Sequence, residues 1–280
     1  MSENKKAISD AQRAQLETQF AIDKAMKLIE HKILVLSGKG GVGKSTVAVN
    51  LAYGFAKSGK KVGLLDIDIH GPSVAKMTGI EGQRLMTSEN GGIMPIMKEG
   101  VKIISMASLL PPGDQAVIWR GPMKMKAIDQ FLGEVEWGEL DILVVDSPPG
   151  TGDEPLSIVQ RIPEMDGAVI VTTPQQVALS DARRTVNFSQ QLQVPILGII
   201  ENMSGFICPH CGKQTNIFKS GGGEKAAQEM GLDFLGKLPI EPAVMEKSDS
   251  GTPFILENDD CETAISMNEI CDKIAEKIGL

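Results

Sequence analysis

Cysteine is scarce in this chain, four in 280 residues. So sparse a set builds no disulfide scaffold, and it suits a reducing compartment. No apolar run approaches the ~20 residues of a membrane span. The opening stretch MSENKKAISDAQRAQLETQF has no apolar core of a signal peptide. Basic residues are outnumbered, 28 Lys and Arg against 36 Asp and Glu, for a net charge of −8. That balance argues against an extended nucleic-acid footprint. No repeat or linker divides the chain, so the expectation is one cytoplasmic α/β domain, able to bury roughly 75% of its unfolded surface.

What is present is a regular alternation of apolar strands and helical patterns. Within residues 1–30, Leu16, Phe20, Ile22, Met26 and Ile29 fall near a 3.6 period, predicting an N-terminal helical extension that lies on the domain or a partner. A strand at 33–37 leads through a Gly-rich loop to a helix ending near Lys57, with Gly59 as its stop. Further strands are predicted at 61–66, 101–106, 141–146, 167–172, 196–201 and 234–238. A Pro-rich loop covers 110–113, and helices are expected from about Pro122, over 178–192, and near 241–249 and 261–279. Residues 79–100 read as a turn-rich excursion or hairpin. The run Asp-Ile-Leu-Val-Val-Asp at 141–146 is apolar enough for a sheet covered on both faces. The pattern predicts a doubly wound, mainly parallel sheet in a single domain over 31–280.

The loop Gly38-Lys39-Gly40-Gly41-Val42-Gly43-Lys44-Ser45-Thr46 sits between a strand and a helix, the context of a phosphate-binding loop. Its glycines let backbone N–H groups curl onto phosphate oxygens, and the helix N-terminus adds positive charge on the same side. Lys44 would reach the β- and γ-phosphates, and the Ser45 hydroxyl would hold Mg²⁺. Asp146, ending a buried strand beside this loop, is the predicted holder of a Mg²⁺-bound water. The following Ser147-Pro148-Pro149-Gly150-Thr151-Gly152-Asp153 reads as a switch that senses the γ-phosphate. Asp153 also suits a helix N-cap. Asp66 and Asp68 add two carboxylates near Mg²⁺, with Asp68 the candidate for orienting the attacking water. The plainer reading of that pair is an Asx-type turn. His70, with no second imidazole beside it, reads as a loop residue.

Cys208-Pro209-His210-Cys211 follows the strand at 196–201. Two thiolates at this spacing chelate one metal site, as half of a zinc or an iron–sulfur set. The alternative redox dithiol opens a helix, whereas Gly212 and polar residues follow here. Cys261 and Cys271, ten apart in a helical segment, do not supply the other half and are expected to be packed in apolar surroundings. A second copy of the chain can, because a two-fold axis would set the cysteine pair against itself. Zn²⁺ fits the same four thiolates as a [4Fe–4S] cluster.

Seven motifs stand in order: GKGGVGKST, DIDIHGPS (66–73), WRGPM (119–123), VVDSPPGTGD (144–153), TTPQ (172–175), ENMS (201–204) and CPHC (208–211). Over about residues 30–255 the chain resembles the Mrp/ApbC-type iron–sulfur cluster carriers, a branch of the MinD-like ATPases with a deviant phosphate loop. The resemblance implies a homodimeric, ATP-hydrolysing scaffold that takes [4Fe–4S] clusters from a donor and transfers them to apo-proteins. It implies that Lys39 reaches the partner's nucleotide, a cation supplied in trans like an arginine finger. It also implies that Asn202 reads the adenine, with Pro239 and Glu241 near the nucleoside. Ser147 stands where the family usually has Leu. No four-cysteine motif precedes Lys32, so a second, stable cluster is not expected. The competing reading is a positioning ATPase that binds membrane or DNA. The mixed charges of the tail ETAISMNEICDKIAEKIGL favour packing on the domain instead.

Overall fold

The structure is a computed structural model describing residues 10–69, 71–110, 121–208, 210–257 and 260–280. His70, Trp119, Arg120 and the Pro-rich stretch beyond Leu110 lie outside the described residues. In chain order the elements are α1 (Asp10–Met26), β1 (Ile29–Leu36), α2 (Lys44–Lys57), β2 (Val62–Asp66) and α3 (Val74–Met77). Then come β3 (Met86–Thr87), β4 (Ile93–Met94), β5 (Ile96–Lys98), β6 (Val101–Ser105), α4 (Gly121–Gly133) and β7 (Leu140–Asp146). After them run α5 (Asp153–Arg161), β8 (Gly167–Thr172), α6 (Gln176–Gln191), β9 (Ile196–Ile207) and β10 (Gln214–Thr215). The chain closes with α7 (Gly222–Glu229), β11 (Phe234–Ile240), α8 (Pro242–Ser250) and α9 (Glu262–Ile278).

Nine strands form one sheet in the order β10-β9-β8-β1-β7-β2-β6-β5, with β11 also on β9. β1 is paired in parallel on both sides, by β7 and β8, and over 33–35, where both partners reach it, its residues are apolar on both faces. One face carries an aliphatic core shared with α2 and α9, and the other a core shared with α1 and α4. This is the expected doubly wound sheet. It aligns the C-terminal ends of β1, β2 and β7 at one edge, where ligands of open α/β sheets bind.

Several boundaries differ from expectation. Ile29 belongs to β1, not to the N-terminal helix, which buries Ile22 and Met26 but leaves Leu16 60% and Phe20 72% exposed. Residues 79–100 resolve into a small β3–β4 ribbon and β5, which runs antiparallel to β6. The strand expected at 196–201 continues to Ile207 because β11 pairs with it at Asn202 and Phe206 and β10 turns back on its end. Asp153 is the first helical residue of α5, with Gly152 in the capping position. In α9, Ile270 and Ile274 are fully buried while Ile265 is exposed; the tail packs on the domain.

Candidate nucleotide pocket and cysteine hairpin

The phosphate loop spans the gap between β1 and α2. Gly43 takes φ 82°, a left-handed conformation open to glycine, and delivers its carbonyl to the Val47 N–H at 3.0 Å. The loop forms one wall of a cleft of about 750 Å³, with Asp68, Ser73, Lys76, Pro149, Ser248 and Asp249 opposite. The switch is docked on its start. The Gly150 N–H donates to Ser37 O at 2.8 Å, and the Ser147 hydroxyl to Val35 O at 3.0 Å.

Lys44 is buried, 6% exposed, and its ammonium is held by the chain's own carboxylates. It pairs with Asp146 Oδ1 and lies 3.7 Å from Asp68 Oδ2. Asp66 and Asp146 are register partners across β2 and β7 and have no solvent exposure. Burial and the neighbouring Asp146 push the Asp66 carboxyl well up, against hydrogen bonds from Ser105 and the Asp68 backbone. Burial also pushes Asp146 up, against the pull of Lys44 and Ser45. Asp66 accepts from the Ser105 hydroxyl at 2.7 Å and from the Asp68 N–H at 3.1 Å, so the Asx-type turn is present as well. Asp146 Oδ2 is buried without a hydrogen-bond partner among the described residues. An orphaned carboxylate oxygen beside a serine hydroxyl is a fitting pair of ligands for a divalent cation. Lys39 is half-buried and makes no ion pair with any described residue.

Beside Thr46 a narrow slot is lined by Val47, Asn50, Asn202, Leu238, Pro239 and Thr263. At about 30 Å³ it holds a water or two. Asn202 Nδ2 donates to Val42 O in the phosphate loop at 2.9 Å. Glu241 stands one step behind, accepting from the Thr263 hydroxyl.

Cys208 and Cys211 occupy the turn between β9 and β10, at the rim of the sheet. The turn is closed by Cys208 N–H to Lys213 O at 3.1 Å and Gly212 N–H to Cys208 O at 2.8 Å. Backbone N–H groups of His210 and Cys211 point at the Cys208 sulfur and lower its pKa. No helix follows, as the redox reading requires. Cys271 is buried beside Gly54 as expected. Cys261 is not packed away: it caps α9, its sulfur 3.4 Å from the Ala264 N–H. Among the described residues no group of three or more His, Cys, Asp or Glu forms a metal site. Among the described residues, no third such ligand joins Cys208 and Cys211.

Sequence reasoning passed over Lys76, Ser248 and Asp249, whose wall of the cleft is assembled by α3 packing on α8. It also passed over Glu201. That residue is fully buried at the last position where β9 pairs with β8, and its one signal was its place in the ENMS motif.

Fold and loop together define a P-loop nucleoside triphosphatase. The sequence profile of the family described as ParA, NUBPL iron-transfer P-loop NTPase, matches residues 28–275, and the chain belongs to that family. It is 49% identical to the iron-sulfur cluster carrier protein of Methanocaldococcus jannaschii, over 98% of this chain and 94% of that one. It is also 49% identical to the cytosolic Fe-S cluster assembly factor NUBP2 homolog of Monosiga brevicollis, over 90% of each. Among solved structures it resembles a nucleotide-binding protein in complex with ADP from Archaeoglobus fulgidus. That match has a TM-score of 0.76 and 38% identity, covering 86% of this chain and 94% of that chain.

Proposed function

We propose that the protein is a cytoplasmic ATPase that carries a [4Fe–4S] cluster on the cysteine pairs of two copies, loading it from a donor and passing it to apo-proteins. One observation carries the reading: Cys208 and Cys211 present two sulfurs at the sheet rim, and no third ligand joins them among the described residues. Family membership and the names of the relatives support the cargo.

The chemistry then divides among the chain's own groups. The loop's N–H groups and Lys44 bind the phosphates, and Lys44 exchanges its internal carboxylates for the nucleotide's oxygens. Ser45 and Asp146 hold Mg²⁺, with Asp66 behind them. Bound there, the ion neutralises charge on the phosphates. Asp68 faces the cleft and orients the attacking water. Lys39, free of internal ion pairs among the described residues, is available to the partner's nucleotide. Asn202 and Pro239 flank the base, and Glu241 supports the slot through Thr263. The thiolates of Cys208 and Cys211 ligate the cargo.

Anaerobic purification with iron and sulfide analysis tests this. About one cubane per dimer is expected, together with loss of cluster but not of ATP binding in the Cys208→Ala, Cys211→Ala double variant. Zinc in place of iron and sulfide, or a full cluster on the double variant, would overturn the assignment.

A further inference from the structure

We propose that Glu201 is a positioning residue for the cysteine hairpin, and that with Asn202 it passes the state of the nucleotide slot to Cys208. The inference rests on the reading of Cys208 and Cys211 as cargo ligands. Glu201 and Asn202 are consecutive on β9, so their side chains leave opposite faces of the strand. Asn202 grips the phosphate loop at Val42 O. Glu201 accepts from the Gly221 N–H at 2.8 Å, from the Gly223 N–H and from the Ser204 hydroxyl. Ser204 meets the Ser220 hydroxyl at 2.9 Å. One carboxylate thus holds both legs of the segment bearing the cysteines: residues 202–207 leaving it, and residues 214–223 returning.

The clamp is built for this place. Two of its donors are N–H groups at the N-terminus of α7, which lack partners within the helix and favour a negative charge. A Cβ on Gly223 would stand 2.9 Å from Glu201 Cβ, so glycine alone lets the helix end lie on the carboxylate. Between the clamp and the cysteines the strand bends through Met203 at φ 58° and Gly205 at φ 82°. A methionine in the left-handed region persists where its surroundings hold it. The slot opens to a base by moving its walls, and Asn202 is one of them. A displacement there reaches Glu201 through one peptide unit, and the clamp turns it into a shift of the hairpin.

The test is the alkylation rate of Cys208 by iodoacetamide, read by mass spectrometry on the metal-free full chain with and without saturating Mg²⁺ and a non-hydrolysable ATP analogue. In the wild type the analogue is expected to change the rate by about fivefold or more. Glu201→Gln turns an amide donor toward one of the α7 N–H groups. It is expected to raise the nucleotide-free rate about tenfold and to bring the ratio with and without nucleotide close to one. Ser204→Ala, which removes one donor and is milder, should move both quantities the same way and decides the matter if Glu201→Gln does not fold. A wild-type rate indifferent to nucleotide, or variants that keep the wild-type ratio, would overturn the proposal. The readout needs no cluster, so a wild type that couples but takes up no iron and sulfide refutes the cargo reading alone.

Discussion

Replacing Asp66 with asparagine is expected to stabilise the nucleotide-free protein while weakening its hold on Mg²⁺ and ATP. Asp66 and Asp146 face each other without solvent, and the nearby cation, Lys44, is committed to Asp146 and Asp68. Asparagine keeps the contacts Asp66 makes. Its oxygen accepts from the Asp68 N–H, and its amide donates to the Ser105 hydroxyl, which accepts as readily as it donates. A second amide hydrogen is available to Asp146 Oδ2, which has no partner among the described residues. Removing a buried like-charge neighbour is worth about 1–3 kcal/mol here, with each kcal/mol raising Tm by roughly 2–3 °C. The pH dependence follows from the raised Asp66 pKa. A group shifted up in the folded state contributes stability that is complete below its ordinary value of 3.8 and lost as pH rises through the folded value. The advantage of Asp66→Asn is therefore largest above that folded value and closes as the pH falls. Urea unfolding in EDTA, from pH 8 downward, measures the gap. A variant less stable than wild type at pH 8, or a gap that does not change with pH, refutes the account of the carboxylate pair.

Gly43→Ala places a Cβ 2.1 Å from Asn202 Nδ2 in a backbone at φ 82°. Strain and the lost Asn202–Val42 bond together cost about 2 kcal/mol, visible as a lower urea midpoint and weaker nucleotide binding. The thiols should react with iodoacetamide at neutral pH in the order Cys208, Cys261, Cys271. Cys208 is lowered by backbone donors, Cys261 is raised by partial burial, and burial pushes Cys271 up to about 12; peptide mass mapping gives the order. Lys39→Ala should bind ATP like wild type yet hydrolyse it about 10³-fold more slowly, and steady-state phosphate release against analogue affinity separates the two effects.

The features legible in the sequence are those that neighbouring residues determine. Strand, glycine turn and helix stand side by side at 33–57, so the phosphate loop could be read there without knowing the fold. Asp146 was legible as the end of an apolar run, and Cys208 and Cys211 as a close pair in the loop after a strand. What was not legible depends on residues far apart in the chain. Lys44 meets Asp146 across 102 positions, and Asn202 meets Val42 across 160. No local pattern announces either. Nor could β9 be followed past Glu201, since its last residues are strand because β11 runs beside them and β10 returns to pair with them. That extension has a chemical consequence. A hairpin whose first leg is the continuation of a sheet strand is stiffer than a surface loop, and its root lies against the phosphate loop. The phosphate loop and the thiol pair stand within one strand's reach of each other, so the order of motifs in the sequence states their succession but not their contact.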